Sequence, residues 1–596
     1  MRKIKNIISS AFVAIALGCS SMMTSCTDFL TMYPTNAVIL ENYWKTSEDV
    51  NAMLATCYSS MANSDVIQRL IVWGELRGDN VIPRTGASND LKYIVEANLL
   101  ETNGYFKWEH FYKTINYCNM VLKYAPGVLE EDPDFTQGDL DVIKGEVYAL
   151  RALCHFVLVR AFRDIPMSLV AMDADEQEMV YPQYSPYEAL DYINADLDSA
   201  LKYSMKTGGW TDTRKNYARI TKNAVYAMKA DVNLWRAAFA QYSILANEKV
   251  KYIDSDKEVV YTETDVDNFY TQAIENCDSV LVAMKRQVIE EYEDSRKTMT
   301  GLDTLNNPYF LCVNDPGTKD YPTVYDEIFL GMTESREGYM TPQEVIFRLD
   351  FSSDNKNSAI NSFYGYSKGS GSLIVPSKAP IAIYNELYKK SDTRYYSYTS
   401  NEKGGSTSDD KKDACTITKY TVRTAARSKT EGIQWYSDGN NTSDWIFYRK
   451  TDVLLMKATA LAYRYNEETK DHEAAFKIVQ GVNKRNLTAM SDSLKSKDWK
   501  SEELLKQVVL DERLRELTFE GKRWFDLVRS ALCENTTTNV VDLVVKKLDS
   551  NAGSVQTKMS SMYSLFCPIY ESELILNPLL KQNPVFERSN TSSEKN

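Results

Sequence analysis

Four short stretches of this chain combine flat rings with amide, carboxylate or guanidinium groups. That is the set a protein needs to stack on the apolar face of a sugar ring while hydrogen-bonding its hydroxyls. Trp73, Glu75, Arg77, Asp79 and Asn80 form the first. Tyr364 and Tyr366 flank Gly365, Tyr395, Tyr396 and Tyr398 follow Arg394, and Trp435 and Tyr436 precede Asp438, Asn440 and Asn441. Strand spacing would put Tyr364 and Tyr366, or Tyr396 and Tyr398, on one face. Trp435 and Tyr436 are favoured as ligand contacts, because two rings beside a polar loop at Gly439 are poor core material. The group at 73–80 carries a competing reading as a buried element of the fold.

Catalysis finds less material. The histidines are His110, His155 and His472, and none sits in an H-E-x-x-H or similar metal spacing. His155, between Cys154 and Phe156 on an apolar helical stretch, reads as structural. No nucleophile elbow, P-loop or dinucleotide fingerprint is present. A glycosidase would need two carboxylates at a defined separation, which is a property of the fold and not of the string. No catalytic residue, metal or cofactor is therefore expected. The ten cysteines show no C-x-x-C pair. Cys57, Cys118, Cys154 and Cys277 fall on apolar helical faces and read as free buried thiols. Charge is patterned most regularly over residues 512–527, E-R-L-R-E-L-T-F-E-G-K-R-W-F-D-L. Spacing by four predicts that Glu512, Glu516 and Glu520 share one helix face ahead of a break at Gly521, with Arg513, Arg515, Arg523 and Arg529 within reach. The pattern reads as a structural ion-pair network.

The elements that must position these groups are amphipathic helices in pairs. Residues 47–61 (Val50, Leu54, Cys57, Met61) pair with 107–122 (Trp108, Phe111, Ile115, Cys118, Leu122). A second pair joins apolar positions from Ile143 to Ala161 with Leu190, Ile193, Leu197 and Leu201. The third joins Val225 to Phe239 with Ala273 to Met284, and the fourth Leu454, Ala458 and Leu461 with Ala475, Ile478 and Val482. Such pairs bury their apolar faces only by stacking, which predicts a helical repeat; the 34-residue tetratricopeptide consensus itself is absent. Residues 288–447 lose this period and become rich in Tyr, Gly and Ser. They predict a large irregular insertion of short helices and hairpins, where binding loops are expected.

A chain of 596 residues exceeds one hydrophobic core, and its net charge of −13 argues against nucleic acid as a partner. Thirty-nine tyrosines and nine tryptophans supply ample ring surface for a neutral ligand. At the N-terminus, Arg2, Lys3 and Lys5 precede a short apolar run, the pattern of an export signal. Cys19 and Cys26 both follow small residues as possible lipid attachment points. No later stretch is long and apolar enough to span a bilayer.

Residues 512–527 resemble the hallmark of the SusD/RagB family, surface lipoproteins of Bacteroidetes-type bacteria. Residues 73–80, W-G-E-L-R-G-D-N, look like a second family segment. Arg151-Ala152 with Phe156, Leu158 and the turn Asp164-Ile165-Pro166 resembles a third, with Arg163 where Gly is usual. Residues 449–460 resemble another, departing at Lys450 and Thr459. Asn577-Pro578 and Gln582-Asn583-Pro584 resemble the C-terminal signature, and Cys26-Thr27-Asp28-Phe29-Leu30 looks like a mature lipoprotein start. The resemblance implies a mainly α fold: a tetratricopeptide-like scaffold of four helix pairs with the irregular insertion as ligand-binding subdomain. It implies a signal peptide over 1–25, a helical region over 26–287, the insertion over 288–447 and a C-terminal region over 448–596. It further implies a non-enzymatic, cell-surface protein of the outer membrane, lipid-anchored at Cys26. Such a protein captures oligosaccharide or polysaccharide and delivers it to a SusC-like TonB-dependent transporter. A peptide-binding member of the family, a repeat scaffold and a lipoprotein glycosidase are the alternatives.

Overall fold

The computed structural model describes residues 43–292 except 85, 174–179 and 213. It then describes 328–329, 344–365, 373–376, 391–392, 394, 399–400, 416–417, 419–424, 434–435 and 439–440, and finally 441–587 except 465–469, 488 and 549. Helices dominate: α1 (Ser47–Met61), α2 (Ser64–Ile71), α3 (Glu109–Glu131), α4 (Gln137–Phe162), α5 (Pro186–Tyr203), α6 (Lys222–Ala246) and α7 (Glu263–Tyr292). After the irregular segment come α8 (Lys450–Tyr463), α9 (Asp471–Arg485), α10 (Glu502–Leu517) and α11 (Arg523–Glu534). Helix starts are chemically marked. Thr46 with Asp49 and Thr136 with Asp139 form capping boxes at α1 and α4, satisfying orphan backbone donors.

All four expected pairs form: α1 on α3, α4 on α5, α6 on α7, and α8 on α9. They stack in chain order through α3 on α4, α5 on α6 and α7 on α8, the tetratricopeptide-like scaffold. The residues whose spacing predicted α1, namely Val50, Leu54, Cys57 and Met61, are the ones it buries. Arg151 of α4 ties three helices at one point: its guanidinium takes the Asp196 carboxylate of α5 at 2.8 and 2.6 Å and donates to Asn119 Oδ1 of α3 at 2.7 Å. Arg163, after the end of α4, adopts φ +71°, the region that favours glycine. It is held there by Asp164 at 2.7 Å and Glu248 at 2.6 Å, with its guanidinium over the Tyr563 ring.

Short strands stitch the irregular segment to this scaffold. These are β1 (Val81–Pro83), β2 (Val345–Leu349), β3 (Ile374–Pro376), β4 (Val422–Thr424), β5 (Gln434–Trp435) and β6 (Trp445–Arg449). β1 pairs antiparallel with β3, β4 with β5, and β6 with β2, the last placing Trp445 opposite Leu349 and Arg449 opposite Val345. Each residue of β2 and β6 is buried on both faces.

The carboxylates of the C-terminal motif are interior. Glu512 and Glu516 are 0% exposed and Glu520 is 2%. Arg394 bonds Glu512 at 2.7 Å and Glu516 at 2.9 Å. Arg449 bonds Glu516 at 2.8 Å and Glu520 at 2.9 Å, and Arg485 reaches Glu516 at 2.6 Å. Arg513 joins Asp452 and Asp526, and Arg529 also reaches Asp526. This is the expected network, with one correction. α10 ends at Leu517, so Glu520 does not share its face. The chain turns at Phe519, φ +67°, and carries Glu520 back to Arg449 and Lys419.

A second correction concerns residues 73–80, which are core and not ligand surface. Trp73 is 1% exposed, Arg77 4%, and Glu75, Asp79 and Asn80 0%. Their partners lie at the other end of the chain. Glu75 Oε1 accepts the backbone N–H of Gly521 at 2.8 Å, across 446 positions. Asp79 takes Arg523 at 2.7 and 2.8 Å, Arg77 stacks on Trp524, and Trp73 Nε1 donates to the Tyr105 carbonyl. Gly74 is glycine for contact: a Cβ there would lie 2.0 Å from the Gly521 oxygen. The two family-like strings are halves of one interlock.

Two outcomes follow from these buried charges. Replacing Arg449→Leu removes one of the cations that compensate buried Glu516 and the bidentate partner of buried Glu520, and should cost about 3 kcal/mol in denaturant unfolding; a wild-type unfolding curve would refute it. Burial raises the Glu75 carboxyl to about 7, against the opposing pull of Asn80 and the N–H groups of Lys522 and Gly521. A folded pKa above the unfolded one means stability that is full below about pH 4.5 and lost as pH rises through 7. Glu75→Gln should therefore lack a decline on the order of 3 kcal/mol across that window. Parallel pH profiles for the two proteins would sink the assignment.

Candidate functional site

Among the residues favoured as ligand contacts, Trp435 is the one whose backbone the structure places. It lies on β5 opposite Val422 of β4. Tyr436, Tyr366, Tyr396 and Tyr398 lie outside the described residues. The hairpin is rooted at its first strand. Lys419 Nζ donates to the carbonyls of Glu516 at 3.2 Å and Thr518 at 3.0 Å and to the Glu520 carboxylate at 2.5 Å. Burial lowers the Lys419 ammonium to about 8, with Glu520 opposing. Next to it Tyr420 lies flat against Trp445, ring centroids 5.6 Å apart, and faces Phe329 edge-on. Whatever β4 and β5 present to solvent thus stands on the interior ion cluster.

The return of the same loop is pinned as well. Gly439, φ +71°, and Asn440 are exposed, and Asn441 turns inward. Asn441 Nδ2 donates to the Tyr420 carbonyl at 2.9 Å, and the Asn441 carbonyl accepts the Asn357 N–H at 2.8 Å. Asn357 Nδ2 donates to the Ser443 carbonyl at 2.9 Å, and Lys356 Nζ donates to Asn440 Oδ1 at 2.7 Å. Both ends of the stretch bearing Trp435, Tyr436 and Asp438 are therefore fixed.

Asn357 also caps the six-residue helix Ser358–Phe363, accepting from Ile360 N–H at 3.1 Å. A helix of that length is about 9 Å long. At its far end Phe363 meets the half-buried Tyr105 ring edge-on, and the Ser362 carbonyl accepts the Leu373 N–H, whose own carbonyl accepts from Arg84. The helix spaces the Asn440 loop from the Tyr105 ring and the Arg84 backbone. Tyr105 and Arg84 were not singled out from sequence; a ring after the Asn103-Gly104 turn was the available signal.

Tyr364 requires correction. It caps the helix and does not alternate along a strand, it is 0% exposed, and its hydroxyl donates to the Phe519 carbonyl at 3.1 Å. Tyr364 therefore does not lie on a strand face, and Tyr366 lies outside the described residues.

Acid–base groups elsewhere are otherwise engaged. His155 is fully buried; desolvation, then Arg151, push it down to about 3, and Nε2 accepts from the Ser168 N–H at 3.4 Å. His110 sits 3.0 Å from Asp65, which also binds Arg69. Among the described residues no group of three or more His, Cys, Asp or Glu could hold a metal ion, and no helix is long and apolar enough to cross a membrane.

Comparison with known proteins bears on this geometry. Residues 354–586 match a model of the SusD family, and residues 28–234 match a model described as starch-binding associating with outer membrane. SusD-like protein P38 of Formosa agariphila is 23% identical over 602 residues, covering 98% of this chain and 99% of its own length. SusD-like protein P2 of the same organism is 24% identical over 86% of this chain and 88% of its own. A SusD superfamily protein of Bacteroides vulgatus shares the fold with TM-score 0.62 at 17% identity, covering 91% of this chain and 100% of that one. A SusD homolog of Bacteroides thetaiotaomicron does so with TM-score 0.62 at 18% identity, covering 92% and 98%. With SusD-type models matching both its N-terminal and C-terminal parts and full-length likeness to SusD-like relatives, the chain belongs to the SusD/RagB family, whose place is the outer membrane.

Proposed function

We propose that this protein captures oligosaccharides at the cell surface and hands them to a SusC-like TonB-dependent transporter, without cleaving them. The observation that carries the reading is the match of residues 28–234 to the model described as starch-binding and associating with the outer membrane. The Trp435 hairpin supports it. Its strand pairs with β4, whose base at Lys419 is held by the Glu520 carboxylate, and a backbone fixed in this way lessens the ordering entropy that opposes ligand binding. In this reading 1–25 is the signal peptide, Cys26 carries the lipid, 26–287 and 448–596 form the scaffold, and 288–447 holds the ligand.

Calorimetry of a soluble chain starting at Thr27, against plant, host and microbial polysaccharides with product analysis, tests the reading. Binding without breakdown is expected; released reducing sugar would replace capture with hydrolysis, and binding of peptides alone would replace the glycan. Trp435→Ala should weaken the glycan about tenfold, roughly 1.4 kcal/mol, with an unchanged melt. Unaltered affinity would remove Trp435 from the site. Cys26→Ala should abolish fatty-acid labelling in cells and Cys19→Ala should not, and the reverse pattern would move the anchor.

A further inference from the structure

α1 and α3 run antiparallel in a register fixed by two contacts. The Ser47 N–H donates to Asp132 Oδ2 at 2.7 Å, and the Ser60 and Thr114 hydroxyls meet at 2.8 Å. Cys57 lies one helical turn before Ser60 on α1, and Cys118 lies one turn after Thr114 on α3. In an antiparallel pair those positions face each other. Both side chains are 0% exposed. The Cys118 thiol, then burial, push the Cys57 thiol well above its usual range, as two acids sharing one site do. A third thiol, Cys154 of α4, lies near both, but its Sγ points to Met61 Sδ at 3.3 Å, one turn beyond Cys57.

We propose that Cys57 and Cys118, thiols in this structure, form a disulfide across the first helix pair of the exported protein, leaving Cys154 reduced. The proposal rests on the export reading above, since disulfides persist in oxidising compartments. The oxidant is the cysteine-pair disulfide of an envelope thiol–disulfide oxidoreductase, met before α1 closes on α3. The Cys57 thiolate attacks one sulfur of that disulfide, giving a mixed disulfide and releasing the other sulfur as thiolate. The Cys118 thiolate then attacks the Cys57 sulfur and expels the donor as a dithiol. Two electrons pass to the donor, and the two protons lost by the chain match the two it gains. The bond closes the loop from 57 to 118 and so restricts the unfolded chain.

The test uses the full chain taken from the cell envelope, alkylated in denaturant without reductant, digested and read by mass spectrometry. The expected result is a linked peptide pair holding Cys57 and Cys118, released by reductant, with Cys154 alkylated. Alkylation of both Cys57 and Cys118, or a link through Cys154, overturns it. Refolding the reduced chain in a glutathione redox buffer separates the causes. A link there with free thiols in the envelope overturns export into an oxidising compartment, and no link in either sample overturns the pairing itself. Cys118→Ala should free Cys57 for alkylation, and the wild-type peptide map decides the matter if that variant does not fold.

Discussion

Glu516 is where the molecule is tied. Burial alone would raise its pKa, yet Arg485, Arg449 and Arg394 together hold it well below the usual carboxylate range. Those cations arrive from α9, from the junction of β6 with α8, and from the irregular segment, while Glu516 itself rides on α10. A charge at that depth is tolerable only with its partners in place. Four separate pieces of chain are thereby denied the freedom to slide. Lys419 and Glu520 extend the same cluster to the base of the Trp435 hairpin, so the candidate ligand surface inherits its rigidity from charges that no ligand touches.

How much of this could be read from the string depended on how local the determining interaction is. The four helix pairs were legible because a stripe of apolar residues such as Val50, Leu54, Cys57 and Met61 is set within one element. The ion cluster was legible as charges at helical spacing, but Glu520 was not, since the turn at Phe519 and Gly521 lies beyond the period that α10 obeys. Residues 73–80 misled for a physical reason. Glu75, Arg77, Asp79 and Asn80 look like a surface cluster until their partners, Gly521, Ser564, Arg523 and Thr518, are known, and all of these are hundreds of positions away. Tyr364 failed similarly, because its hydroxyl answers a carbonyl from another segment.

Departures from the family pattern become intelligible in the same terms. Arg163 occupies a backbone conformation suited to glycine, which costs of order 1–3 kcal/mol for other residues. Its two carboxylate partners and the Tyr563 ring offset that strain and join the end of α4 to Glu248, just beyond α6. A glycine would relieve the backbone and lose the tie. At the C-terminus, Gln582 bonds the backbone of Ile569 on both sides of its amide and Asn583 donates to the Tyr563 carbonyl. The signature there acts as a clasp for the last segment.

The scaffold's two ends are secured by unequal means. In a stack of helix pairs each unit is stabilised by its neighbours, so a terminal unit has lost one interface. The fourth pair recovers it through α10 and the ion cluster. Among the described residues α1 packs chiefly on α3 and α4 and is joined to α3 by polar contacts at Ser47 and Ser60. Local opening follows the weakest interface, so α1 is where this fold would yield. Just before α1, Trp44 stacks on Tyr124 of α3 and Tyr43 meets Trp44 edge-on. A pull applied at the N-terminus would load α1 first, so the security of the α1–α3 pair decides how much force the scaffold bears before it opens.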